Sequence, residues 1–172
     1  MNKNGKLIAP TTLQFERMLP GPIDRVWEYL TDAEKRGKWF ASGSVSLNEG
    51  SQIKFVFNNN QLSSPIESPP TKYQDFGDGF VSYAKVIKSE APHLFVIEWE
   101  GLVTFKLESQ DEGVKLTLTH EKLEDTHETR VGTMSGWHTH LNILEVQLAG
   151  KSHEGGFWTT HMSLEEVYEK IV

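Results

Sequence analysis

The sequence contains no cysteine. That single absence removes disulfides, thiolate zinc sites and cysteine nucleophiles, and it fits a reducing compartment. Long apolar runs are missing as well. Nothing approaches the roughly 20 residues that a membrane-spanning helix needs. The N-terminal Met-Asn-Lys-Asn-Gly-Lys-Leu-Ile-Ala-Pro has no extended apolar core of the signal-peptide kind. Basic clusters are scarce, and the densest group, Lys35, Arg36 and Lys38, sits beside Glu34. With a formal net charge of -7, the chain should repel phosphate backbones, so no nucleic-acid role is expected. Gly77-Asp-Gly79 is too short for a phosphate-cradling loop. No Gly-x-Ser-x-Gly nucleophile elbow occurs. These absences leave the expectation of a cytoplasmic protein without membrane insertion. At 172 residues it can bury roughly two-thirds of its unfolded surface, enough to dispense with a covalent or metal staple.

What is present is organised around residues 130–150. Met134, Trp137, Leu141, Leu144 and Leu148 recur at steps of three and four, which lays an apolar stripe along a helix. About twenty helical residues extend roughly 30 Å, the width of a small domain. Gly150 ends the pattern. Gly132 and Gly136 lie inside it, and a helix-interior glycine costs about 1 kcal/mol relative to alanine. Close backbone approach or room beside a cavity would offset that cost; for Gly132 a place in the first turn is the alternative.

Ahead of this helix the period is two. Residues 1–10 read as loose. Leu13, Phe15, Arg17 and Leu19 then share one strand face, and a buried Arg17 would want a carboxylate such as Glu98 or Glu121. Pro20-Gly21-Pro22 opens a short helix carrying Ile23, Val26, Trp27 and Leu30. Thr31 to Glu34 matches a capping box for a second, which ends before Trp39-Phe40. Further strands are expected over residues 45–47, 53–57, 80–89, 94–99, 102–108 and 114–121, joined by short turns. In the last of these Val114, Leu116, Leu118 and His120 oppose Lys115, Thr117, Thr119 and Glu121, a half-buried antiparallel pattern. Residues 58–78 have no period. They form either a lid over a binding site or a solvated insertion, with Leu62, Ile66, Tyr73 and Phe76 as apolar anchors. After Gly150 a polar link leads to Phe157-Trp158. Ser163-Leu164-Glu165-Glu166 then reads as the capping box of a short terminal helix. An exposed Phe157-Trp158 pair would favour a homodimer through this extension.

The expected fold is α+β: a curved antiparallel sheet of six to seven strands wrapped around one long C-terminal helix. Two short helices follow the first strand, and a short extra helix ends the chain. Residues 1–150 would form this unit and residues 151–172 an extension of the same domain. The ordered set of Arg17 to Asp32, Lys38-Trp39-Phe40, Val96 to Glu100, Val114 to His120, and Gly136-Trp137 with Leu141, Leu144 and Leu148 resembles the helix-grip superfamily. This superfamily includes START-related lipid-transfer and birch-pollen-allergen-like proteins. Within it the chain is most similar to the branch typified by the C-terminal domain of the activator of heat-shock-protein-90 ATPase. The resemblance implies an apolar hollow between sheet and helix.

Three functions follow. The first is binding of a small hydrophobic or aromatic ligand in that hollow, in a stress-response or lipid-like-ligand role. Trp39 would stand at its mouth. Phe55, Phe57, Trp99, Val103, Leu118, Met134, Trp137 and Leu141 would wall it, and His120 and His138 would orient polar groups. The second, implied only by the resemblance, is a chaperone-assisting interaction module. The third is a cyclase- or dehydratase-type enzyme, for which no acid/base set stands out, so no catalytic residue is assigned and an enzyme is the less expected outcome. No cofactor or metal is expected. The pair His138-x-His140 lies on a helix, where residues two apart point roughly 200° from each other and cannot readily share an ion.

Overall fold

The computed structural model describes residues 2–172. A strand β1 (Lys6–Ala9) and a strand β2 (Thr12–Leu19) precede two short helices, α1 (Ile23–Thr31) and α2 (Ala33–Gly37). Six strands follow: β3 (Ser42–Gly43), β4 (Gln52–Phe57), β5 (Phe80–Glu90), β6 (Leu94–Glu98), β7 (Leu102–Gln110) and β8 (Gly113–Glu121). The long helix α3 (His127–Leu148) and a shorter α4 (Phe157–Tyr168) complete the chain. All strands belong to one antiparallel sheet of 8 strands in the order β1-β2-β8-β7-β6-β5-β4-β3. The sheet curves around α3.

The alternation read from the sequence sets which face is buried. On β2, Leu13, Phe15, Arg17 and Leu19 are buried, and on β8 so are Val114, Leu116, Leu118 and His120. The register pairs Phe15 with Leu118 and Leu13 with His120, so both apolar sets meet on one side. α3 closes that side with Val131, Met134, Trp137, His138, Leu141, Leu144 and Leu148. Its first turn is capped by Thr126, whose hydroxyl accepts from the Thr129 N–H at 3.1 Å.

Several expectations are corrected. The sheet has more strands than the six to seven expected, because residues 6–9 pair with β2 rather than lying loose. This N-terminal arm is anchored at Gly5. A Cβ there would sit 2.5 Å from the Phe15 ring, and the Gly5 N–H donates to the Tyr168 hydroxyl at 2.9 Å. The first hairpin strand is Ser42–Gly43, not residues 45–47; Val45 and Leu47 are exposed. Arg17 is buried but bonds neither Glu98 nor Glu121. It donates to the carbonyls of Lys3 and Glu16 and to Asn142 Oδ1. Burial lowers its pKa against the opposing pull of Glu145 and Tyr168. Thr31 remains within α1, bonded to the Trp27 carbonyl at 2.8 Å. Asp32 caps α2 instead, accepting from the Lys35 N–H at 2.9 Å.

The tail differs most. α4 begins at Phe157, with Gly156 before it at φ 77°. Ser163 therefore lies inside the helix and bonds the Thr159 carbonyl at 3.0 Å. Phe157 and Trp158 are buried in the chain's own core, at 1% and 4% exposure, so they form no exposed aromatic patch. Residues 58–78 fold as two short helical turns (Asn59–Gln61 and Thr71–Phe76) with irregular chain between them. They are stitched to the tail. The Trp158 indole N–H donates to Asn60 Oδ1 at 2.7 Å, and the Gly155 and Gly156 N–H groups share the Ser64 carbonyl at 2.7 and 2.9 Å.

Candidate functional site

A cavity of about 350 Å³ lies where α3, the open end of the sheet, the 58–78 segment and α4 meet. Phe57 from β4, Phe80 from β5, Trp99 after β6 and His120 from β8 supply its sheet wall. Tyr73 and Phe76 come from the insertion, and Phe157, Trp158 and His161 from α4. The α3 wall is Glu128, Thr129, Gly132, Thr133, Gly136, Trp137 and His140. Phe40, Phe57, Trp137, His140, Phe157, Trp158 and His161 are buried and form the floor. Lys72, Glu100 and Glu128 are exposed and form the rim.

The two glycines explain the hollow. A Cβ on Gly136 would meet nothing nearer than His161 Cε1 at 4.0 Å, and one on Gly132 nothing nearer than the Tyr73 hydroxyl at 3.7 Å. Both positions thus have room for a Cβ at ordinary contact distance, and both line the cavity. Their helix cost is balanced by room, the second of the two reasons the sequence suggested. Ring packing holds the remaining walls. Phe40 stacks on Trp137 with centroids 5.2 Å apart, Phe57 on Phe80 at 4.7 Å, and Tyr73 on Trp158 at 5.3 Å. Interlocking aromatic contacts of this kind add about 0.5–1.5 kcal/mol each beyond area burial and fix the rings in place.

Polar groups gather at the α4 side. Glu165 Oε1 accepts from the Tyr73 hydroxyl and, at 3.1 Å, from His161 Nε2; its Oε2 accepts from Lys72 Nζ at 3.0 Å. Burial pushes this carboxyl up, but the bonds from His161, Tyr73 and Lys72 outweigh burial and hold it at about 2. Burial and the same carboxylate push the Tyr73 phenol up. His140 donates from Nδ1 to the Trp39 carbonyl at 2.7 Å. Its burial dominates, and its pKa falls to about 4. His120 has both nitrogens engaged: Nε2 donates to the Glu100 carbonyl at 2.9 Å, and Nδ1 accepts the Trp137 indole N–H at 3.0 Å. It thereby fixes Trp137 at the cavity wall.

Of the residues expected to make the site, Phe57, Trp99, His120 and Trp137 line this cavity. The others pack beside it. Trp39 is a plug whose indole donates to the Tyr29 carbonyl at 2.7 Å, while its neighbour Phe40 faces the cavity. Phe55 lies under the Arg36 guanidinium at 4.8 Å. Val103, Leu118, Met134 and Leu141 are fully buried between helix and sheet. His138 points toward the N-terminal arm, its Nδ1 accepting from the Tyr168 hydroxyl at 2.8 Å. The sequence reading did not place Tyr73, Phe76, Phe80, His140, Phe157, Trp158 and His161 among the residues of the site. The available signals were the aromatic anchors inside an aperiodic insertion and the aromatic pair in the tail.

A curved antiparallel sheet closed by one long helix, with two short helices after its first long strand and a cavity at the helix, defines the helix-grip architecture. The chain belongs to the family described as activator of Hsp90 ATPase homolog 1-like protein, whose model matches residues 20–149. It is similar to a Bordetella parapertussis protein of known solution structure, at 33% identity and a TM-score of 0.81, over 99% of this chain and 91% of that one. A conserved Enterococcus faecalis protein of unknown function is similar at 17% identity and a TM-score of 0.70, over 97% and 88% of the two chains. CalU16 from Micromonospora echinospora is similar at 18% and 0.64, over 97% and 91%. The last two share the fold. Among curated proteins, none matches the chain. The family match stops before α4, so the residues from Phe157 to Glu165 lie beyond it. Among the described residues, no helix is long and apolar enough to cross a membrane.

Proposed function

We propose that the protein binds a small, flat, largely aromatic molecule between the glycine face of α3 and the rings of β4, β5, the insertion and α4. One observation carries this reading. The cavity is walled by aromatic side chains, and on the helix side it opens over two glycines that no side chain fills. A void of about 350 Å³ falls at the lower end of the roughly 300–1,000 Å³ range of small-molecule sites. Rings on several sides suit a planar ligand, because edge and face contacts are both on offer. The family's fold, which commonly binds hydrophobic ligands, supports the same reading.

Trp99, Trp137 and Trp158 all line the cavity, so titration with naphthalene should quench indole fluorescence saturably. Gly136→Leu places a side chain in the void and should abolish that quenching while the circular dichroism spectrum is retained. The reading fails if wild-type quenching never saturates, or if the leucine variant binds as well as wild type.

A further inference from the structure

Residues that line the cavity carry buried hydrogen-bond acceptors that no donor meets among the described residues. His161 is 5% exposed and lines the cavity. Its Nε2 faces Glu165 Oε1 at 3.1 Å. An ionised carboxylate only accepts, so the imidazole proton belongs on Nε2, and in the neutral ring Nδ1 is left with a bare lone pair. That Nδ1 is buried and has no partner among the described residues. His140 is arranged the same way in reverse. Its Nδ1 donates to the Trp39 carbonyl, so in the neutral ring Nε2 is the acceptor. Asn59 also lines the cavity, and its Oδ1 is likewise buried and unpartnered. An amide can turn to present either end, so the case rests on His161, whose neutral ring carries its proton on the nitrogen that faces Glu165. A buried acceptor without a donor is costly, and its cost is relieved by a ligand that brings one.

Building on the aromatic-ligand reading, we infer that the preferred ligand carries a hydroxyl group that donates to His161 Nδ1, as a phenol does. The rest of the cavity favours a neutral donor over an anion. Glu100 and Glu128 stand at the rim, and Lys72, the cation among the lining residues, is already paired with Glu165. Glu165, with Tyr73 and Lys72 upon it, acts as the positioning residue that sets the imidazole tautomer.

The test compares three probes of similar size: naphthalene, 2-naphthol and 2-methoxynaphthalene. The ether keeps the oxygen and loses the donor. Wild type should bind 2-naphthol about tenfold more tightly than either of the others, the size of effect expected when a buried acceptor is matched. His161→Phe should remove that preference, so that 2-naphthol and naphthalene bind with equal affinity. His161→Gln, a second variant with an amide that can still accept, should retain part of it. Equal binding of all three probes by wild type overturns the hydroxyl inference and leaves the aromatic-ligand reading standing. Failure of all three to bind overturns both. Preference for the methoxy compound would mean that the floor offers a donor, and would also overturn the inference.

Discussion

The two long faces of α3 are built from different residues and do different things. One carries Met134, Leu141, Leu144 and Leu148, each buried against the sheet and its neighbours. The other carries Gly132, Gly136 and His140 at steps of four, and it looks into the cavity. Gly136 is two residues from Met134 and so roughly 200° around the helix from it. The apolar stripe that makes the helix recognisable is therefore the face that packs. The face over the cavity lies largely on the reverse, marked by small residues, with Trp137 of the stripe reaching the cavity from its edge. A hydrophobic stripe records where side chains fill space; a cavity is recorded where they are withheld.

The sharpest way to separate the faces is to damage the packing one. Leu141 is fully buried, and Leu141→Ala should lower unfolding free energy by about 2–5 kcal/mol, through lost burial plus the cavity left behind. Naphthalene affinity of the folded fraction should be unchanged, since Leu141 does not line the cavity. Urea titrations with and without naphthalene measure both quantities. A large affinity loss would merge the two faces into one.

Acid should strike both faces through one histidine on each. Burial lowers His138, with Arg17 and Lys3 adding to the effect, and burial lowers His140; both fall to about 4 from an ordinary 6.5. A lowered histidine pKa means that the unfolded chain takes up the proton first as pH falls. Stability is then full above about 6.5 and declines as pH drops toward 4, by on the order of a few kcal/mol per residue. Glu165 acts in a separate window. Its pKa is held at about 2 against an ordinary 4.5, so its contribution is present above about 4.5 and fades below that. Unfolding free energy measured from pH 7 to 4 should fall. His138→Asn with His140→Asn, which keep a short polar group but do not titrate, should flatten the curve. A flat wild-type curve over that range would remove the premise.

The same contrast explains what the sequence disclosed. The sheet was legible because alternation on β8, with Val114, Leu116, Leu118 and His120 in and Lys115, Thr117 and Thr119 less buried, is a local property of a strand. α3 was legible from its stripe. Part of the cavity was not, because the walls that face the sheet and α3 come from segments without a readable period. Tyr73 and Phe76 sit in an aperiodic insertion, and Phe157, Trp158 and His161 sit in a helix whose start was masked. The Ser163-to-Glu166 pattern imitates a cap there, although the helix begins at Phe157. Histidine roles were the least legible of all. His120 and His138 were expected to orient polar groups of a ligand, yet His120 has both nitrogens taken and His138 Nδ1 bonds the Tyr168 hydroxyl. The unmatched nitrogen belongs to His161, and only the identity of its partners, brought together from distant parts of the chain, reveals it.

The smallest effect comes from adding one methyl group to the face over the cavity. Gly136 lies within the run of α3 at an ordinary helical backbone angle, so alanine there gains helix propensity, about 1 kcal/mol at most. The new Cβ would touch His161 Cε1 at 4.0 Å, an ordinary contact, so no strain offsets the gain. Gly136→Ala should therefore raise the urea midpoint slightly while it weakens naphthalene binding, because the methyl group takes up room the ligand would use. Glycine at this position then makes the protein less stable and its cavity larger. If the alanine variant is instead destabilised, the space beside Gly136 is filled in solution, and the distinction between a packing face and an open face on α3 is lost.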